Sequence, residues 1–249
     1  MIRNRWMFIY MGFYLILTTA FLLLSNDPTK VIISLTNIVL ILTPLVGILF
    51  STMYYYSSRE FIELLLAQPL SRNSVFSGLY MGLAASLCLS LVIGVALPAI
   101  LFGMLASDVL TTFLLLLVMA VILSVVFSLL AFLISMHYEN RIKGFGIAIF
   151  TWLFFAIIYD GIFLLLLLTF NEYPLEKLTF SLTLLNPIDL ARILIILKLD
   201  ISAMMGYTGA VLTKLIGSSW GSVLIILTLF LWIIFPYYGV IRLSKRKDF

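Results

Sequence analysis

Residues 110–136 read LTTFLLLLVMAVILSVVFSLLAFLISM, an apolar run that contains no charged side chain. A helix rises about 1.5 Å per residue, so this run is longer than the ~20 residues that cross the ~30 Å hydrocarbon core of a bilayer. Backbone N–H and C=O groups find no water in that layer, which makes a helix the expected structure. The run therefore predicts a transmembrane helix.

Five more runs of spanning length flank this one, at about 6–24, 31–56, 76–104, 145–170 and 222–241. Of the 249 residues, 63% are hydrophobic and 10% are charged, whereas a soluble domain carries roughly 25% charged residues. A globular core has no room for so much apolar surface, so the lipid bilayer must act as solvent. We expect one all-α integral membrane domain over residues 1–249, with six transmembrane helices.

The positions of Lys and Arg set the expected orientation of these helices. With the N-terminus inside the cell, the inner segments hold ten basic residues and the outer segments hold five. The inner set is Arg3, Arg5, Arg59, Arg72, Arg141, Lys143, Arg242, Lys245, Arg246 and Lys247, and the outer set is Lys30, Lys177, Arg192, Lys198 and Lys214. This bias predicts that both termini are cytoplasmic. Because the basic residues lie between apolar runs, the net charge of +4 indicates membrane orientation and no nucleic-acid partner.

The cytoplasmic segment after the second run predicts a short amphipathic helix over about 58–69. Ser57 and Glu60 have the spacing of a capping box, which starts a helix. Pro69 marks the expected end of the helix. The apolar stretch between them is too short to span a bilayer, so we expect the helix to lie under the bundle.

Two interpretations of this short helix stay open. In the first, the helix rests in the lipid headgroup layer. In the second, it docks a cytoplasmic partner, with its charged face against polar groups and with Phe61 and Leu65 in a groove of the partner. Arg59 and Glu63 are four residues apart and are expected to form an ion pair on the helix surface.

The external segment at about 171–221 contains a strong signal for a helix start. Asn186 is a good N-cap, Pro187 suits the first helical position, and Asp189 complements the helix dipole. The rest of this helix is mostly isoleucine and leucine, so it must pack on membrane or on protein. It is interpreted either as an interfacial lid or as a platform for an extracytoplasmic partner.

Residues 201–217 are apolar enough to suggest a seventh crossing. Such a crossing would move the basic cluster at 242–247 to the outside, against the charge bias. We therefore interpret 201–217 as interfacial or re-entrant. Met204 and Met205 are soft groups of the kind that bind a Cu(I)-like ion, although packing explains two adjacent methionines more simply.

Asp160 is the one acid deep within an apolar run. It lies ten residues before the end of its run, or ~15 Å, which predicts a position near the membrane midplane. Burial there costs several kcal/mol unless the carboxylate faces a cavity or a partner. Two roles stay open, a contact with a proton or substrate and a structural hydrogen bond inside the bundle.

Motifs for chemistry are missing from the sequence. It contains no G-x-x-x-x-G-K-[ST] run and no H-E-x-x-H. His137 and Cys88 are the only histidine and cysteine, so a self-contained metal site or a Cys–His nucleophile is not expected. We predict no catalytic residue, no metal site and no cofactor in this chain.

Three stretches resemble the permease subunits of ABC-2 type transporters. REFIELLLAQPLSR at 59–72 is similar to the coupling region of that family, with its L-x-x-Q-P-[VL]-S-R run. LNPIDLAR at 185–192 is similar to the L-N-P-x-D-x-x-R element of the NosY-type branch, and KRKDF at 245–249 resembles the common F-x-R-R-D ending. Tyr159 and Asp160 fall where that branch tends to carry an acid in its fifth helix.

The resemblance implies a type V exporter-like ABC-2 fold, with a cytoplasmic coupling helix and a helical external segment before the last helix. It also implies a homodimer that works with a separate ABC ATPase, which binds ATP and Mg. The residues that would contact the ATPase are Arg59, Glu60, Phe61, Glu63, Leu64, Gln68 and Pro69. Those that would form the outer docking region are Asn186, Pro187, Asp189 and Arg192.

The NosY-type branch belongs to copper-processing ABC transporters of the bacterial cytoplasmic (inner) membrane that mature nitrous oxide reductase. The resemblance therefore implies a periplasmic β-helical protein and a copper chaperone as partners. One alternative is an ABC-2 exporter of a lipid, an antibiotic or an ion, with an internal path near Asp160. A second alternative is a membrane enzyme with an unrecognised site. The chain enters its first helix almost at once, which departs from relatives that begin with an interfacial helix.

Overall fold

The computed structural model describes residues 5–25, 27–104, 109–169, 181–199 and 219–246. Within these ranges 91% of the residues are helical and none belongs to a strand. The helices are α1 (Arg5–Leu24), α2 (Pro28–Ser57), α3 (Arg59–Leu66), α4 (Arg72–Leu101), α5 (Leu110–His137), α6 (Arg141–Leu153), a π-helical segment (Phe154–Ile158), α7 (Tyr159–Thr169), α8 (Pro187–Lys198) and α9 (Ser219–Arg246).

Within the described ranges, six helical stretches are long and apolar enough to cross a membrane. They are Met7–Leu24, Pro28–Ser57, Arg72–Leu101, Leu110–His137, Arg141–Leu166 and Val223–Lys245. The chain is therefore a multi-pass α-helical membrane protein, as the six apolar runs predicted. Several helices extend beyond those runs, because capped polar residues continue the helix outside the apolar stretch.

Side-chain caps fix where three of the long helices begin. Asp27 accepts a hydrogen bond from the Thr29 N–H at 3.0 Å, and Pro28 occupies the first position of α2. Ser71 accepts from the Ser74 N–H at 3.2 Å before α4. Asn140 accepts from the Ile142 and Lys143 N–H groups before α6. Each cap satisfies backbone donors that the first helical turn leaves unpaired.

The centre of the bundle is the α2–α5 pair. The hydroxyl of Ser51 donates to the Ser128 carbonyl at 2.6 Å, and a Cβ built on Gly47 would lie 3.4 Å from the Ser124 carbonyl. Small residues at such positions let two backbones approach closely, which favours helix packing in lipid. Helix α4 joins this pair where the Tyr80 hydroxyl donates to the Val125 carbonyl at 2.9 Å.

Two polar contacts show which helix ends share one side of the bundle. The Tyr56 hydroxyl donates to the Tyr138 carbonyl at 2.7 Å, so α2 and α5 end together. The Ser244 hydroxyl donates to Asn73 Oδ1 at 2.7 Å, so α9 ends where α4 begins. We call this side the α3 end, because α3 connects α2 to α4 there, and the opposite side the α8 end. Along the described part of the chain, successive long helices therefore alternate in direction.

The described basic residues divide unequally between the two ends. The α3 end carries Arg59, Arg72, Arg141, Lys143, Arg242 and Lys245, and the α8 end carries Lys30, Arg192 and Lys198. This is the bias that the inside-positive rule associates with a cytoplasmic face.

Helix α8 is inserted into the bundle at the end opposite α3. Its Asn186 cap accepts from the Ile188 N–H at 3.1 Å, Pro187 occupies the first position and Lys198 the last, which confirms the predicted start. The apolar side chains Ile188, Leu190, Ala191 and Ile195 are fully buried, and α8 packs on α2, α5 and α9. The sequence left open whether α8 packs on membrane or on protein. In the structure it packs on protein.

The fifth crossing differs from the uninterrupted helix that the sequence predicted. It begins at Arg141 and contains a π-helical turn over Phe154–Ile158. The wider turn frees the Phe155 carbonyl for a side-chain donor, and Asn186 Nδ2 supplies it at 3.0 Å. π-Helical turns inside α-helices are frequent at functional sites. Here the turn holds the fifth crossing against α8.

Candidate functional site

The predicted short helix is present as α3, but it is shorter than predicted. It spans Arg59–Leu66, whereas about 58–69 was expected, and its N-cap is Ser58, which makes no side-chain cap hydrogen bond. The predicted capping box of Ser57 and Glu60 is therefore wrong. The reason is that α2 runs on to Ser57, so the Ser58 N–H still bonds to the α2 carbonyls of Tyr54 and Tyr55.

The side chains of α3 divide into an anchored face and an exposed face. Ile62 is fully buried, and Leu65 and Leu66 pack against the core. On the other side, Phe61 is 54% exposed and Leu64 is 68% exposed. The sequence placed Leu65 together with Phe61 in the groove of a partner. This prediction is wrong, because Leu65 packs against the core. Its helical position turns it toward the bundle beside Ile62.

Acidic side chains surround the exposed pair. Glu60 and Glu63 are both exposed, and Glu63 pairs with Arg59 at 3.4 Å, which confirms the predicted ion pair. An exposed pair of this kind contributes only about 0.3–0.5 kcal/mol to the helix. We use the name α3 face for the exposed surface formed by Glu60, Phe61, Glu63 and Leu64.

The remaining predicted coupling residues follow α3 in the connection to α4. Gln68 and Pro69 are exposed, as is Leu70 at 48%. The Leu70 N–H donates to the Gln68 carbonyl at 2.7 Å, which makes a tight turn before the Ser71 cap of α4. The structure therefore places all seven predicted coupling residues in one continuous segment at the α3 end.

A second group of polar residues lies at the α8 end. Arg192 Nη1 is 3.2 Å from Asp160 Oδ2 and 3.1 Å from Asp189 Oδ1. Asn186 Nδ2 donates to Asp189 Oδ2 at 2.8 Å. The Tyr159 hydroxyl donates to the Leu182 carbonyl. We call Asp160, Asn186, Asp189 and Arg192 the polar cluster.

Two carboxylates share one guanidinium in the polar cluster. Burial and, after it, the neighbouring charge of Asp160 raise the pKa of Asp189, Arg192 and Asn186 lower it, and the net result is a pKa of about 7. A protonated Asp189 leaves one carboxylate and one guanidinium, which gives the cluster no net charge. The Asp189 carboxylate therefore binds a proton more readily than an ordinary aspartate does.

The position of Asp160 differs from the predicted midplane. It lies 19 residues after Arg141 and 9 before Thr169, or about 28 Å and 14 Å at the rise of an α-helix. The crossing begins earlier than the apolar run suggested, so Asp160 lies nearer to the α8 end. Of the two roles left open by the sequence, the ion pair with Arg192 favours the structural one.

The residues predicted to dock an outer partner are buried or largely buried in the bundle. Asn186 and Pro187 are buried, and the side chains of Asp189 and Arg192 are 15% and 26% exposed. Three of the four belong to the polar cluster, and their hydrogen-bonding groups face one another and the π-helical segment. Docking of an outer partner through these residues stays a prediction.

Sequence reasoning missed the pairing of Asp160 with Arg192 and the π-helical turn. A signal existed, because Asp160 is the one acid deep within an apolar run, and opposite charges in lipid tend to pair. Within the described ranges, no group of three or more His, Cys, Asp or Glu side chains could hold a metal ion. Met204, Met205 and the segment 201–217 lie outside the described residues.

Comparison with known proteins adds no family to these observations. No family model matches the chain, and no curated protein matches it.

Proposed function

We propose that this membrane protein is the permease subunit of an ABC-2 type transporter and passes the work of a separate ATPase across the membrane. The observation that carries the proposal is the α3 face. It presents Phe61 and Leu64 to the outside of the bundle while Ile62 anchors the same helix in the core. The proposal places the α3 end in the cytoplasm of a bacterial cell, in agreement with its excess of basic residues.

A helix that is anchored by Ile62 and exposes Phe61 and Leu64 is suited to a contact that transmits force. Two large apolar side chains exposed side by side, with charged residues around them, are typical of a protein-binding surface. A partner groove that covers Phe61 and Leu64 would gain ~1.5–3 kcal/mol for each side chain that becomes fully buried. Because Ile62 is fully buried, a push on the helix is passed to the bundle.

The α3 face is less suited to binding the membrane surface than to binding a protein. Helices that lie in the headgroup layer carry Lys and Arg on their polar face. The α3 face instead carries Glu60 and Glu63, which anionic lipids repel, and the neighbouring Arg59 is paired with Glu63. The charges therefore favour a protein partner with basic groups around an apolar groove.

Helix α2 is the proposed route from the α3 face to the opposite end of the bundle. Its 30 residues make a rod of about 45 Å, joined directly to α3 at one end. Along its length it packs on α5 and α6, and it also packs on α8. Packed helices of this kind move between discrete arrangements. A shift of α3 would thus reach α8 and the polar cluster.

The energy for this movement would come from the partner ATPase. ATP and Mg bound there favour one arrangement of the ATPase pair, and a bundle that fits this arrangement better is selected. Two copies of this chain, one for each ATPase, would form the complete assembly. This chain contributes the coupling surface and the bundle, and no phosphate-binding motif.

The proposal extends to copper-site maturation of nitrous oxide reductase through the resemblance at 185–192. The rival within the same family is an exporter of a lipid, an antibiotic or an ion. Purification of the tagged chain from its native membrane separates the two, with the associated proteins identified by mass. A periplasmic β-helical protein and a copper chaperone support maturation, and their absence beside a bound ATPase supports export.

A photo-crosslinking experiment tests the α3 face. Benzoylphenylalanine is placed at Phe61, and in a matched control at Ile142, which is 83% exposed at the same end of the bundle. We expect position 61 to crosslink to a protein that contains a P-loop ATPase motif, and position 142 to give at least tenfold less of that product. Crosslinks from position 61 to lipid alone would overturn the proposal.

Reconstitution with the identified ATPase provides a second readout. The double variant Phe61→Ala/Leu64→Ala should lose most of the permease-stimulated ATP hydrolysis, because the apolar contact is removed. Charge reversal in Glu60→Lys/Glu63→Lys should have a similar effect through repulsion. Ile142→Ala should retain stimulation. Unchanged stimulation in both double variants would exclude this interface.

A further inference from the structure

A cavity of about 500 Å³ lies between α5, α6 and α9 at the α3 end. Its volume is in the range of about 300–1,000 Å³ that is usual for small-molecule sites. Leu133 and Ile147 contribute apolar wall, and His137, Thr151 and Arg242 contribute polar groups. His137 and Arg242 therefore lie toward the α3 end of the cavity, and Leu133 and Thr151 lie toward the membrane interior. It belongs neither to the α3 face nor to the polar cluster.

A second cavity of about 450 Å³ adjoins the first and is almost wholly apolar. Its walls include Leu130 of α5 and Leu231, Trp232 and Phe235 of α9. Leu133 lines both cavities, so the two meet at this side chain.

The dimensions of this pair of cavities match one lipid leaflet. Along α9 the lining runs from Thr228 in the apolar cavity to Arg242 in the basic one. These positions are 14 residues apart, or about 21 Å along the helix. Half of the hydrocarbon core is ~15 Å thick, so the lining covers an acyl chain of that leaflet together with its headgroup region.

We propose that the two cavities hold one anionic phospholipid, with its phosphate at Arg242 and an acyl chain along the α5–α9 groove. A planar guanidinium forms paired hydrogen bonds with phosphate oxygens. Basic pockets between transmembrane helices on the cytoplasmic side are known to bind anionic headgroups. The apolar cavity supplies the part of the site that a free phosphate ion does not need.

The charges around the cavity favour an anion. In the described part of the chain, no acidic side chain pairs with Arg242. Arg141, Lys143 and Lys245 are exposed at the same end, where Glu139 precedes α6. An anionic headgroup at Arg242 therefore meets a net positive field, whereas a zwitterionic headgroup gains less from it.

Gly239 keeps the basic cavity open. A Cβ at this position would lie 3.1 Å from both Leu133 methyl carbons, so α9 and α5 are already close there. A leucine in place of Gly239, which lines the basic cavity, would occupy the space assigned to the lipid. A change of charge at Arg242 and a change of volume at Gly239 therefore test the same site in two independent ways.

The test uses the full-length protein, purified in mild detergent and examined by native mass spectrometry. Dioleoyl phosphatidylglycerol is the probe, with dioleoyl phosphatidylcholine and inorganic phosphate as comparisons. We expect Arg242→Gln to bind phosphatidylglycerol about five- to tenfold more weakly, and Arg242→Lys to restore most of the binding. Lys245→Gln removes the same charge from the same helix outside the cavity and should have less than a twofold effect. Gly239→Leu should displace the lipid without any change of charge.

Each other outcome counts against the site. Equal loss of phosphatidylglycerol in the Arg242→Gln and Lys245→Gln variants would indicate a diffuse charged surface and overturn the proposal. Equal retention of phosphatidylcholine, or stabilisation by inorganic phosphate alone, would overturn it as well. A shift from dimer to monomer in Gly239→Leu, with lipid binding unchanged, would assign the groove to a second copy of the chain. Thermal unfolding of every variant shows whether it is folded before binding is compared.

Discussion

The guanidinium of Arg192 bridges two carboxylates from different helices, with Nη1 3.2 Å from Asp160 Oδ2 and 3.1 Å from Asp189 Oδ1. Asp160 belongs to α7 and Arg192 to α8, so this contact ties the fifth crossing to the inserted helix. Asn186 adds a second tie, since its amide reaches the Phe155 carbonyl of the π-helical segment at 3.0 Å. The position of α8 is thus set by polar contacts as well as by its buried apolar face.

Removal of the Arg192 charge should destabilise the bundle. In Arg192→Met, Asp160 keeps its charge in a spanning helix without its partner, at a cost of about 1–3 kcal/mol. The double variant Arg192→Met/Asp160→Asn should recover at least half of this loss, because no unpaired charge is left. Thermal unfolding can be followed by a thiol-reactive dye, since Cys88 is the only cysteine and is partly buried in α4.

Lys198→Met serves as the control for this cycle. Lys198 is an exposed cation on the same helix, and its removal should change the free energy of unfolding by less than about 0.5 kcal/mol. A loss in Lys198→Met as large as that in Arg192→Met would show that helix charge, and not the ion pair, is responsible.

Stability should fall as the pH rises through neutrality, because of Asp189. Its pKa is raised from 3.8 in an unfolded chain to about 7 in the folded protein, so the folded state binds the extra proton. The stabilisation is complete below the unfolded pKa and is lost as the pH passes the folded pKa. The charged groups that face Asp189 are Asp160 and Arg192.

The Asp189→Asn variant isolates this effect from other titrations. It keeps a side-chain acceptor but cannot ionise, so its stability relative to wild type should increase by about 2–3 kcal/mol from pH 5 to pH 8. The comparison uses unfolding midpoints of both proteins at each pH. Parallel pH profiles for the two proteins would mean that Asp189 is ionised throughout this range.

Gly94 of α4 should tolerate alanine poorly. A Cβ there would lie 2.8 Å from both the Met11 carbonyl and the Tyr14 Cβ, so Gly94→Ala must push α1 away from α4. We expect a loss of about 1–3 kcal/mol, typical of overpacking. Gly78 lies in the same helix with nothing within 4 Å of a built Cβ. Gly78→Ala should therefore be neutral or stabilising by up to about 1 kcal/mol.

The close contact of Gly144 with Tyr56 predicts a rescue. A Cβ on Gly144 would collide with the Tyr56 hydroxyl, which donates to the Tyr138 carbonyl at 2.7 Å. Gly144→Ala alone should cost about 1–3 kcal/mol. Tyr56→Phe alone should cost about 0.5–1.5 kcal/mol for the lost hydrogen bond. The double variant has no hydroxyl to collide with, and the remaining close approach of the new Cβ is to the ring, at 2.9 Å from Cζ, so its total loss should be smaller than the sum of the two single losses. Additive losses would contradict the assigned contact.

Local patterns in the sequence predicted most of the helices. Six apolar runs marked the six crossings, and Asn186 followed by Pro187 marked the start of α8 to the residue. The Arg59–Glu63 pair was also predicted, because both partners lie within one helical turn. The failure at Ser57 has a local cause as well, since two helix signals overlapped there and α2 extended through the expected cap.

The candidate site was predicted only in part. The segment that carries the α3 face was found from the sequence, but the sequence could not decide whether Leu64 or Leu65 faces outward. That choice depends on how α3 rotates to bury Ile62 against the bundle. The polar cluster was seen as separate residues, and its members were assigned to an intramembrane acid and an outer surface.

By itself, the sequence determined that this chain is a multi-pass α-helical membrane protein and where α8 starts, because apolar length and end caps act over a few neighbouring residues. Only the tertiary structure decided that Asp160 meets Arg192, that α8 is inserted between α2, α5 and α9, and that a basic cavity opens beside Arg242. These features join residues from different helices. Their free energy depends on distances in space, which no local pattern along the chain encodes.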